Sequence, residues 1–130
     1  MASGTDAGTK KKTPPTRCDE GTEIINSGVT VAPSDRVTLR LILCLAAFRV
    51  AVHLEDRLIC DESAAQDEIT LHLEPLNPGL QRLDWSFLTN ADPWKVQSEL
   101  IVNDVVRYRQ RKASDGNLPF QHLTLFLNVR

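Results

Sequence analysis

From Val37 to Leu54 nearly every second residue is aliphatic or aromatic, with one slip of phase at Ala46 and Ala47. "RVTLRLILCL" alternates through Val37, Leu39, Leu41, Leu43 and Leu45. "FRVAVHLE" then sets Phe48, Val50, Val52 and Leu54 against Arg49, Ala51, His53 and Glu55. A period of two places one set of side chains on one face of an extended strand, whereas a helical winding of these residues scatters apolar groups on all sides. The stretch predicts strand, and its length predicts a bulge or a sheet-switching bend at Ala46 and Ala47. Over residues 41 to 45 both faces carry aliphatics, so two covers are required, and we expect a partner chain to supply one. No membrane span is expected: Arg49 interrupts the run from Leu41 to Leu54, which falls short of roughly 18 to 20 uncharged residues.

The same alternation recurs downstream. "EITLHLE" aligns Ile69, Leu71 and Leu73; "LDWSFL" aligns Leu83, Trp85 and Phe87; "HLTLFLNVR" aligns Leu123, Leu125, Leu127 and Val129. A short strand fits Leu58 to Cys60. Ile24 and Ile25 are separated from Val29 and Val31 by "NSG", which predicts a leading hairpin. The segment from Asp92 to Gly116 carries two conflicting patterns. Asp92 as N-cap, Pro93 at the first helical position, cations in the last turn and Gly116 beyond them predict one helix near 93–112, with Trp94, Ile101, Val105 and Tyr108 on one face. "SELIVNDVVRYRQR" also fits a hairpin turning at Asn103 and Asp104, with the β-branched content that strands favour. Capping, length and terminal charge together favour the helix. Residues 1–21 lack aromatic side chains and almost all aliphatic ones, and are expected to form a flexible N-terminal tail. Residues 22–130 then form a single β-rich domain. The fold class is mainly β (α+β), an antiparallel β-sandwich or curved sheet with one helix.

The chain has 130 residues, enough for one ordinary core. Its formal net charge of −2 creates no global field for nucleic acid or anionic lipid, so any such contact must be local. Cys18, Cys44 and Cys60 form no CxxC pair, which fits a reducing compartment. No apolar stretch follows Lys10, Lys11 and Lys12, so the N-terminus does not resemble a secretory signal. The expected location is intracellular, cytoplasmic or nuclear.

Arg107, Arg109, Arg111 and Lys112 form the strongest local charge feature. At a spacing of two on a strand they could follow a phosphate backbone; at a helix end they complement the dipole. The ordinary account pairs them with the acidic stretch "EDRLICDESAAQDE". "RKAS" makes Ser114 a candidate phosphorylation site, as Pro14 does for Thr13. Trp94 stands at an element start, either as core or as a partner-binding anchor. His53 and His72 would be neighbours if their strands paired, but no zinc spacing supports a metal site. There is no GxSxG elbow, no glycine-rich phosphate loop and no cysteine–histidine signature, so neither an enzyme, a cofactor nor a small-molecule substrate is expected.

These features describe a non-enzymatic protein–protein interaction and self-assembly module, a homo-oligomer formed through β-sheet edges or faces. The alternative is an RNA- or DNA-binding protein using residues 107–112 and the tail lysines.

Overall fold

The structure is a computed structural model that describes residues 21–45, 47–63, 68–89, 94–113 and 120–130. Most of the expected tail, with Lys10, Lys11, Lys12 and Thr13, lies outside the described residues, as do Asp92, Pro93, Ser114 and Gly116.

The described residues form two sheets and no helix. One contains, in spatial order, β1 (Gly28–Val31), β9 (Phe120–Val129), β6 (Gly79–Thr89), β3 (Ala47–Leu54) and β4 (Arg57–Ser63). The other contains β5 (Glu68–His72), β2 (Val37–Leu45), β7 (Lys95–Val102) and β8 (Val105–Ala113). Strand β1 pairs parallel with β9, and the remaining ladders are antiparallel.

The expected break after Leu45 is a change of sheet. The chain leaves the four-stranded sheet there and enters the five-stranded sheet at Ala47. The period-two residues fill the space between the sheets. Leu39 and Leu41 of β2 and Leu100 of β7 join one buried cluster with Val50 and Val52 of β3, Leu83, Trp85 and Phe87 of β6, and Leu125 and Leu127 of β9. Each fully buried side chain of this size contributes about 1.5–3 kcal/mol.

The helix expected near 93–112 is replaced by the β7–β8 hairpin. Its turn residues, Asn103 and Asp104, have φ of 49° and 70°, the paired positive dihedrals of a two-residue hairpin turn whose twist suits the flanking strands. Asn103 also anchors the turn, donating to Asp35 Oδ1 at 2.9 Å and accepting from the Arg36 N–H at 2.9 Å. Strand β7 pairs on both sides, with β2 and with β8, and these long-range ladders outweigh the local helix signals.

Two other expectations are corrected. The leading segment forms no hairpin: Ile24 bridges to Arg109 at the β8 edge, while β1 lies on β9 in the opposite sheet. The cover expected from a partner chain is met from within a single copy at Ile42 of β2. Ile42, on the face away from the core, is 2% exposed within a single copy.

Candidate functional site

A bulge in β8 decides where the basic run points. Val105 pairs with Val102 and Val106 with Ile101, but Leu100 pairs with Tyr108, leaving Arg107 as an extra residue. Because side chains alternate across a sheet, this insertion reverses the facing of everything that follows. Without it Arg109 and Arg111 would share the inward face of Val105. With it Tyr108 turns inward and the two arginines turn outward.

There they meet β7 and β2 in two rows. The first row is Arg40, Glu99 and Arg109, side by side on three strands. Glu99 is 1% exposed. Its Oε1 accepts from Nε of Arg40 at 2.8 Å and from the same guanidinium's Nη2, while Oε2 accepts from Nε of Arg109 at 2.6 Å. The second row is Ile42, Gln97 and Arg111. Nε of Arg111 donates to Gln97 Oε1 at 2.7 Å, and Nε2 of Gln97 donates to Glu99 Oε2 at 3.1 Å, which links the rows. Burial by itself would raise the Glu99 carboxyl, but hydrogen bonds and charge from Arg109 and Arg40 outweigh it and hold the group below its usual range.

The outer edge of β8 is occupied by residues 21–26, which act as a clasp. The Ile24 N–H donates to the Arg109 carbonyl at 2.9 Å, and the Arg109 N–H donates back to the Ile24 carbonyl at 3.0 Å. Glu23 accepts from the Arg111 N–H at 2.8 Å, and Asn26 donates to the Arg107 carbonyl at 3.0 Å. The outward guanidinium groups reach over the same segment, Arg109 to the Thr22 carbonyl at 3.0 Å and Arg111 to the Gly21 carbonyl at 2.5 Å. Gly21 has a φ of 76°, a left-handed conformation that favours glycine, and a Cβ there would lie 2.2 Å from Nη1 of Arg109, so a larger residue would push the guanidinium aside. One residue after the clasp the chain enters β1, so the N-terminal stretch runs along both sheets on this side of the sandwich.

The remaining sequence candidates are dispersed. Arg107 is exposed in the bulge, Lys112 is half-buried opposite Val96, and Trp94 is in the core at 4% exposure instead of at the surface. The partners of Arg109 and Arg111 described above are not in the acidic stretch, whose Asp61 holds Arg49 through two contacts of 3.0 Å. His53 and His72 lie in different sheets, His72 beside Thr38. Among the described residues no group of three His, Cys, Asp or Glu side chains could hold a metal ion. A recess of about 530 Å³ lies between the β3–β4 turn and the segment before β6, lined by Glu55, Asp56, Asn77 and Gln81 among others. Glu55 is engaged there by the Arg82 N–H.

The chain matches no protein-family model and no curated protein. The clasped edge therefore rests on its geometry alone.

Tyr108 offers a direct readout of this edge. Burial, and then the charge of Glu23 on the clasp, push its phenol up to about 12. It is the only tyrosine of the chain, so an absorbance titration should give a single midpoint near 12 in place of the ordinary value of about 10. Since the folded value lies above the unfolded one, this contribution to stability is complete below about pH 10 and is lost as the pH rises towards 12. Glu23→Gln should lower the midpoint only in part, because burial, the larger cause, remains. An unchanged midpoint would mean that the clasp does not hold Glu23 near the ring.

Proposed function

We propose that this domain is a non-enzymatic protein-binding and self-assembly module that works through the edges of its sheets. The observation that carries this reading is the β8 edge, which takes up an extended segment through main-chain pairing and clamps it with guanidinium-to-carbonyl hydrogen bonds. This is the chemistry by which sheets recognise extended chains. Strands β4 and β5 end their sheets and supply further edges among the described residues. A phosphate-binding surface on the basic run has less support, since Arg109 and Arg111 are turned onto Glu99, Gln97 and the clasp.

Sedimentation velocity on the full chain, across a concentration series at low and high salt, tests the proposal. A dimer or larger species is expected. A strictly monomeric particle under all conditions would overturn it.

A further inference from the structure

In an antiparallel ladder, a residue that exchanges both hydrogen bonds with one neighbour turns its main-chain groups to that side, and the residues flanking it turn theirs to the other. Ile24 exchanges both bonds with Arg109. The N–H and C=O groups of Glu23 and Ile25 therefore face away from β8, towards the outside of the sandwich.

Apolar side chains accompany this open edge. Ile24 is 36% exposed and Ile25 is 58% exposed. The one acidic group of the clasp, Glu23, is turned back onto the Arg111 N–H at 2.8 Å and does not guard the edge. The edges at β4 and β5 differ. Strand β4 presents exposed Arg57 and Asp61, and β5 carries Glu68 and exposed His72. Charged side chains of this kind discourage pairing between edges, and the clasp lacks them.

We infer that residues 22–26 pair antiparallel with the same segment of a second copy about a two-fold axis, joining the two four-stranded sheets into one continuous sheet. Only a two-fold arrangement lets one patch meet itself and close. Centring the pair on Ile24 matches Glu23 of each copy with Ile25 of the other. Both outward-facing residues then exchange their main-chain bonds, and Ile24 of each copy meets Ile24 of the other across the axis. This inference rests on the edge-association reading and specifies which edge is used.

The test is made on the full chain, by comparing the association constant of the unmodified protein with those of Ile25→Glu and Thr70→Lys, the latter on the β5 edge. Ile25→Glu should weaken association at least about tenfold by placing a carboxylate opposite Glu23 of the other copy at both symmetric positions, and Thr70→Lys should leave it unchanged. Protection of the Arg109 amide, which donates to the Ile24 carbonyl, verifies that each variant is folded with its clasp in place. Hydrogen exchange on the unmodified protein provides an independent arm: the Glu23 and Ile25 amides should gain protection as concentration rises. If the protein associates while Ile25→Glu does not weaken it and these amides stay unprotected, the clasp edge is wrong and edge association stands. If the unmodified protein is monomeric throughout, both fail.

Discussion

Glu99→Ala should cost the protein about 3–5 kcal/mol of folding stability, measured by urea denaturation. Two guanidinium groups converge on this one carboxylate, whose side chain is 1% exposed while those of Arg40 and Arg109 are 31% and 15% exposed. Removing the anion leaves two cations facing each other at short range with little water to solvate them, and the penalty of that uncompensated charge dominates the loss. The intact network contributes far less than this figure, because taking three charges out of water offsets most of their attraction. Replacing Arg40, Glu99 and Arg109 together by aliphatic residues of similar volume should therefore be much less damaging than Glu99→Ala alone. A loss below about 1 kcal/mol for Glu99→Ala would show that the row behaves as a solvated surface ion pair.

Acid sensitivity should follow from the same carboxylate. The folded Glu99 group titrates below its ordinary value of 4.5, so its contribution is complete above that pH and is lost as the pH falls through the folded value. Asp84 on the outer face of β6 acts in the same direction. Burial opposes its ionisation, but hydrogen bonds from Thr124 and Arg82 and the neighbouring charges hold it low.

The sandwich was legible where one face of a strand meets the core, and the site was hidden where two outer faces meet each other. Val50, Val52 and Leu54, or Leu83, Trp85 and Phe87, announce their facing by a period of two that holds whatever strand lies beside them. The β7–β8 segment is different. Asp92, Pro93 and the terminal cations suit a helix, and only the ladder from β7 to β2, some sixty residues earlier in the chain, makes strand the better state. The pairing of Arg40, Glu99 and Arg109 depends on that ladder and on the one-residue bulge at Arg107, which no local window reveals. With the Asn103–Asp104 turn alone, Glu99 would lie opposite Tyr108 and Gln97 opposite Gln110, and only the bulge brings them onto Arg109 and Arg111. Gly21 was legible only as tail composition, because its φ and the guanidinium above it belong to the tertiary structure.

Trp85→Ala should be comparably severe, at about 3–5 kcal/mol, because it empties the middle of the core. Trp85 is 1% exposed, and its ring meets Tyr108 edge-on at 5.9 Å with an interplanar angle of 84°. Its indole N–H donates to the Ser98 hydroxyl at 2.8 Å, so β6 and β7 are joined across the core by one polar contact. Small domains have about 5–15 kcal/mol in total, so this variant sits at the limit of folding, and milder substitutions isolate the contact. Ser98→Ala leaves a buried N–H with no acceptor and should cost about 1–3 kcal/mol. Trp85→Phe keeps an aromatic ring and removes the donor. Once that donor is gone, adding Ser98→Ala should cost much less than it does alone, and the double variant should fall short of the summed single losses by at least about 0.5 kcal/mol. Trp94, 4% exposed in the same core, remains as the fluorophore that reports unfolding in every Trp85 variant. Strict additivity would mean that the sheets are held by apolar packing alone and that the indole–hydroxyl bond between them contributes nothing.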